Sequence, residues 1–357
     1  MTDLRDTLVS IAALAVIIVG ARYASPLLVP FLLSLFLAIV CGSSVNHLYE
    51  RGWPHWLAVS GVIALVVALL AAPFLMVGSS LAEFREALPQ YQQQFLSLLD
   101  SVTQWLAAHG VEVNENALQT AFNPGRAVAF FGGFVGGVGD TFSNVFIILL
   151  TVAFLLVDAG SFPRKLQLSR PGRHQEILAT LQELVRQMNE YFVAKALVSL
   201  LTAMLIGAGL YLLDVRFISL WTLLAFLLNF IPVIGSIIAA IPVVALSLLE
   251  LDPTLTLLLV LLYVSVNTVV GNIIEPAWMG HRMGLSTLAV FLSLIFWGWM
   301  FGPVGTLLSV PLTMVLRFIA ERSPGATWVA VLLSAPPPAN TGQESPTKPD
   351  TSGAPPE

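Results

Sequence analysis

Residues 217–249 read FISLWTLLAFLLNFIPVIGSIIAAIPVVALSLL, a run without one Asp, Glu, Lys or Arg. A helix crosses a hydrocarbon core of about 30 Å with about 20 apolar residues, so this stretch is too long for one span. Pro232 and Gly235 interrupt it near its middle, and it reads as a helical hairpin inside a membrane. The equally charge-free stretch 283–316 repeats the design. In the first, Phe230-Ile231-Pro232-Val233-Ile234-Gly235 is followed by Pro242; in the second, Phe301-Gly302-Pro303-Val304-Gly305 is followed by Pro311. Each is a helix, a Pro-Val-Gly break, a short helix and a second proline. The breaks either re-enter the membrane or are tight turns between two full helices.

The rest of the chain agrees with a membrane setting. Of 357 residues, 57% are hydrophobic and 10% charged, against roughly 25% charged in soluble domains. So few charges cannot cover a water-facing surface. The net charge of −5 gives no basic face for nucleic acid, and no nucleic-acid partner is expected. Apolar runs lie at about 7–21, 27–46, 56–82, 141–157, 196–213 and 254–274. With the two hairpins they predict an all-α polytopic membrane protein of about eight transmembrane helices. Arg5 before the first run resembles a signal peptide, but Arg22 stands where a small residue would be wanted and a second apolar run follows at once. The lone Cys41 reads as a packing residue.

Lys and Arg concentrate in short cytoplasmic loops. The richest loop, 158–195, holds Arg164, Lys165, Arg170, Arg173, Arg186 and Lys195. Placed inside, it puts both termini in the cytoplasm and leaves only Arg22, Arg85, Arg126 and Arg216 outside. The expected organisation follows. Residues 1–82 hold three transmembrane helices and 83–140 an extracytoplasmic helical insert. Residues 141–195 hold a span and a cytoplasmic loop and helix; 196–322 form the C-terminal core with both hairpins. A disordered Pro-rich tail occupies 335–357. The insert has Phe84, Leu88, Tyr91, Phe95, Leu98, Val102 and Trp105 at helical spacing. That amphipathic face packs on its neighbours, makes an oligomer contact or lies on the bilayer.

Pro frees backbone groups that cannot face lipid, so a broken helix offers them to protein, to water or to a solute. The two hairpins, expected in opposite orientation, match the inverted repeats with broken helices of secondary transporters. Between them lie Asn267, Asn272, Glu275, Pro276, Gly280, Arg282 and Gly284. Glu275 ends a charge-free run and precedes a proline; a carboxylate at membrane depth is a functional candidate. It exchanges a proton, binds a cation, or pairs with Arg282 as a structural lock. Asn229 and Asn267 bind solute or join helices. Asp158 and Lys195 read as helix-end residues snorkelling to the interface. The candidate solute and ion pathway is thus Asn229, Pro232, Gly235, Asn267, Asn272, Glu275, Pro276, Arg282, Pro303 and Gly305, with no catalytic residue, metal or cofactor.

Phe230 to Gly235, the block Asn272-x-x-Glu275-Pro276-x-x-Met279-Gly280-x-Arg282-x-Gly284-Leu285-Ser286, and Gly302-Pro-Val-Gly305 through Pro311 resemble the autoinducer-2 exporter family. The resemblance extends over nearly the whole chain. It departs at Ser236, where many relatives carry a second proline. It implies a bacterial inner-membrane permease that exports autoinducer-2, a quorum-sensing furanone, or acts in sodium/proton antiport. It also implies a homo-oligomer, a pentamer among the possible states. Proton or sodium gradients are the expected energy source, since no ATP-binding motif occurs. Three rival readings are a scaffold acting through the extracytoplasmic helix, a channel, which charged rings would favour although the spans carry almost no charges, and an intramembrane aspartyl protease. For the protease, Gly137-Val138-Gly139-Asp140 matches one half of the site and the Tyr-Asp half is missing from the sequence.

Overall fold

A computed structural model describes residues 2–109, 145–169, 172, 174–232, 234–279, 284–323 and 325–335. The far part of the expected insert with the 132–140 glycines, Arg282, and the tail beyond 335 lie outside the described residues. The first elements are α1 (Thr2–Tyr23), α2 (Ser25–Glu50), α3 (His55–Ala108), α4 (Val145–Ala159), α5 (Phe162–Ser169) and α6 (His174–Leu212). The hairpin stretch 217–249 forms α7 (Ile218–Leu228) and α8 (Gly235–Glu250). Then come α9 (Pro253–Val269), a π-helical turn (Val270–Ile274), α10 (Glu275–Met279), α11 (Thr287–Leu307), α12 (Ser309–Arg322) and α13 (Thr327–Leu333). The described residues form no strand; the single bridge, Leu285 to Ser334, is isolated.

Among the described residues four segments are long and apolar enough to cross a membrane: Ser25–Glu50, His174–Leu212, Pro253–Trp278 and Thr287–Leu307. The bent pair α4–α5, turned by 59°, would make a fifth. The expected eight is therefore matched only as a multi-span helical protein. Part of the difference lies in the hairpins. With 11 residues in α7 and 16 in α8, the arms reach about 16 and 24 Å at 1.5 Å per residue. Each falls short of a core of about 30 Å.

Among the described residues four apolar clusters hold the chain together, two of them joining Val310 and Met314 to α6, and Leu308 and Leu312 to α6 and α2. Ala38, Cys41 and Val45 of α2 interlock with Ala58 and Val62 of α3 and with Ile148, Val152 and Leu156 of α4. The largest cluster joins Val198, Ile206 and Leu210 of α6 to Trp221 and Leu228 of α7, Val243 of α8 and Leu259 of α9. The long helix α3 runs unbroken through position 82 and reaches this second cluster with Val77 and Tyr91. Phe84 stacks edge-on to Phe217 and Trp221, with ring centroids 5.5 and 5.6 Å away. On the outside, large apolar side chains such as Leu27, Phe146 and Leu212 are exposed. A surface of that kind is solvated by lipid rather than water.

Candidate transport site

The first break is built around Pro232. Proline has no N–H for the Leu228 carbonyl, so α7 ends there and the carbonyl accepts instead from the Ile231 N–H at 2.8 Å. The chain turns back so tightly that a Cβ on Gly235 would stand 1.8 Å from the Leu228 oxygen. The second break has the same construction. Gly302 takes φ 66°, ψ −148° inside α11, a region open to glycine. A Cβ on Gly305 would stand 1.9 Å from the Trp297 carbonyl oxygen. Above it, the Trp297 indole donates to Thr313 Oγ1 at 3.0 Å, tying α11 to α12.

The third irregularity lies between the hairpins. Pro276 cannot donate to the Asn272 carbonyl four residues earlier, and the preceding turn widens to π geometry. There the Glu275 N–H bonds the Val270 carbonyl, five residues back. Single π turns inside α-helices commonly mark functional sites.

A cavity of about 570 Å³ lies between the first break and this π turn. Asn229, Pro232, Asn267, Asn272 and Glu275 line it, joined by Lys195 and Tyr263, which the sequence reading did not include. Five of the ten anticipated residues therefore converge on one space. Gly235 supports the break behind it. Pro276 is exposed beside it, Pro303 and Gly305 belong to the other hairpin, and Arg282 is outside the described residues.

The electrostatic centre is an ion pair. Lys195 Nζ donates to Glu275 Oε1 at 2.6 Å, the lysine side chain 3% exposed and the glutamate 24%. Lys195 is thus no interfacial residue. It sits about midway along α6, buried against the π turn, too deep to snorkel. Asp158, by contrast, is exposed at the end of α4 and pairs with Lys165. One turn beyond Lys195, Ser199 accepts from Asn229 Nδ2 at 3.0 Å. Lys195, Ser199 and Thr202 form a polar stripe at helical spacing in a run otherwise apolar, and that spacing is the signal by which Lys195 was recognisable. The buried Tyr263 hydroxyl has no hydrogen-bond partner among the described residues.

At the hairpin's other end a second polar group closes the base. Arg216, just before α7, donates to Glu250 of α8 at 3.2 Å and to the Tyr91 hydroxyl of α3 at 3.2 Å. Tyr91 in turn donates to Glu250.

Broken apolar helices around a charged, amide-lined cavity, in a shell of lipid-facing side chains, define a polytopic helical membrane transport protein. The AI-2E family transporter profile matches residues 11–324, and the chain belongs to that family. It is similar to the AI-2 transport protein TqsA of Escherichia coli K12, 39% identical over 91% of this chain and 94% of the relative. It is also similar to the candidate transport protein YhhT of the same strain, 34% identical over 91% and 93%. A third relative is the candidate transport protein YrrI of Bacillus subtilis, 22% identical over 81% and 84%. Membership makes the chain a multi-pass inner-membrane transport protein rather than an enzyme.

Proposed function

We propose that this protein is a secondary carrier that moves a small polar solute outward, driven by a proton or sodium gradient. Autoinducer-2, the solute in the name of its relative TqsA, is the first cargo to test. Both termini are cytoplasmic in this reading, the α7–α8 hairpin enters from the outside, and α11–α12 enters from the inside. The observation that carries it is Glu275, a carboxylate facing a cavity formed where two helices are broken. Broken helices at mid-membrane are where carriers place solute and coupling ion. Asn229, Asn267, Asn272 and Tyr263 offer hydrogen bonds to a neutral polar cargo, while Pro232 and Gly235, with Pro303 and Gly305, give two hinges.

The test is efflux from proteoliposomes containing only this protein and loaded with autoinducer-2, under imposed proton or sodium gradients. Gradient-dependent flux that disappears in Glu275→Gln is the expected result. Flux indifferent to both gradients would remove the coupling role. Ion exchange without solute flux would make the protein a sodium/proton antiporter.

A further inference from the structure

The lysine of the central pair is held more firmly than the glutamate. Lys195 is 3% exposed and rises from a helix face whose next turns bear Val198 and Ser199, both fully buried. Its side chain meets only the cavity it helps to line, and its ammonium depends on a carboxylate for compensation. Glu275 is the accessible partner: its side chain is 24% exposed and borders the cavity. Only Oε1 takes part in the Lys195 contact. Around it on the cavity wall are the amides of Asn267 and Asn272, and Pro276 leaves the Asn272 carbonyl without its α-helical donor. Carboxylate, amide and carbonyl oxygens together form a hard-cation donor set. A second cation on the same carboxylate would leave the buried site with an uncompensated positive charge, and in a medium of low dielectric that is costly.

We infer that Lys195 is a built-in cation that occupies Glu275 in the empty carrier, and that a monovalent cation binds there from the cavity only by displacing it. The inference rests on the reading of Glu275 as the coupling carboxylate and deepens it: the carboxylate is an exchange site, compensated by one cation whether lysine or ion fills it. That compensation lets the unloaded carrier return without carrying a lone buried charge. The released ammonium turns into the cavity, which Lys195 and Asn229 both line and where water compensates its charge; Asn229, bonded to Ser199 of the same α6 face, stands at the hairpin break. Ion entry is thereby coupled to the element expected to move.

Equilibrium binding of radiolabelled sodium to the full-length protein in nanodiscs, with choline holding ionic strength constant, tests this directly. Wild type is expected to bind weakly, and Lys195→Met to lower the half-saturating concentration at least about tenfold, because the competitor is gone. Lys195→Arg should raise it several-fold through a stronger bidentate pair, and Glu275→Gln should abolish binding. Unchanged or weaker binding in Lys195→Met, with Glu275→Gln still null, would overturn the exchange and leave Glu275 as the ion site. Sodium binding intact in Glu275→Gln would overturn the Glu275 reading itself. If Lys195→Met fails to fold, Lys195→Arg decides: an unmoved half-saturation overturns the inference. Absence of sodium binding in every variant does so too.

Discussion

Gly235 and Gly305 occupy equivalent places after the two breaks: each presses its Cα against a carbonyl oxygen of the segment before the break, so that a Cβ would fall 1.8 Å from Leu228 O or 1.9 Å from Trp297 O. The obstacle in both cases is backbone, which cannot rotate aside as a side chain does. Gly235→Ala and Gly305→Ala are therefore each expected to destabilise the protein by roughly 3 kcal/mol, the upper end for overpacking. Gly61→Ala is the control, because a Cβ there meets nothing within 4 Å and alanine favours a helix interior by about 0.5–1 kcal/mol. Thermal unfolding in detergent reads the difference. Equal melting temperatures for all three variants would show that the breaks are not held by these contacts.

The Lys195–Glu275 pair makes a second prediction. Removing one partner of a buried pair leaves the other uncompensated, at about 3–5 kcal/mol, whereas removing both relieves that cost. Lys195→Met and Glu275→Gln should each lower thermal stability, and the double variant should be more stable than either single one. A double-mutant cycle that sums without coupling would mean the two side chains do not depend on each other.

Much of the fold was legible because the lipid and the backbone leave few choices. Charge-free runs longer than one span, with Pro-Gly at their centre, led to the helix breaks at Pro232–Gly235 and Gly302–Gly305, and Asn229, Pro232, Asn267, Asn272 and Glu275 do share a cavity. Lys195 was misread for a physical reason. The first half of α6 is an ordinary polar helix in which exposed Arg186 pairs with Glu183 and Glu190 at 2.7 Å. Lys195 is the last charge before the apolar run, so by sequence alone it marks the water interface. Its burial comes from the π turn packed on it from the far side of the chain, and the local trace of it is the spacing of Lys195, Ser199 and Thr202 on one helix face. Among the described residues four or five segments pass as spans, and apolar length does not say whether a Pro-broken run crosses or turns back.

The Tyr91–Arg216–Glu250 group, at the end of the hairpin away from the cavity, is expected to contribute modestly. Arg216 is mostly exposed and its ion pair should count for less than about 1 kcal/mol. Tyr91→Phe removes two hydrogen bonds at a buried position and should cost about 1 kcal/mol. Tyr91 lies in the part of α3 assigned outside the membrane, where burial first, and then the Glu250 carboxylate, raise its phenol above the ordinary range. A raised folded pKa means the contribution is complete below the unfolded phenol value of about 10 and is lost as pH climbs above it. Stability contributed by Tyr91 should thus be flat from neutral pH to about 9 and fall at higher pH. Unfolding curves of Tyr91→Phe should show a shallower alkaline decline than wild type; parallel declines would detach Tyr91 from it.

Pro276 offers a test in which stability and transport should part. Within a helix, proline costs about 3 kcal/mol relative to alanine because its N–H is missing and its ring clashes with the turn before it. Pro276→Ala supplies the donor that the Asn272 carbonyl lacks and allows Val270–Ile274 to tighten from π to α geometry. The melting temperature should rise. The same tightening removes the widened turn and turns Glu275 away from the cavity wall, the flexible Lys195 side chain following so that the pair is kept. Solute flux in proteoliposomes should consequently fall well below wild type even though the protein is more stable, as happens where function is built on local strain. A variant that melts higher and transports as well as wild type would mean that the π turn is incidental to Glu275, and that the ion pair is positioned by packing between α6 and α10 alone.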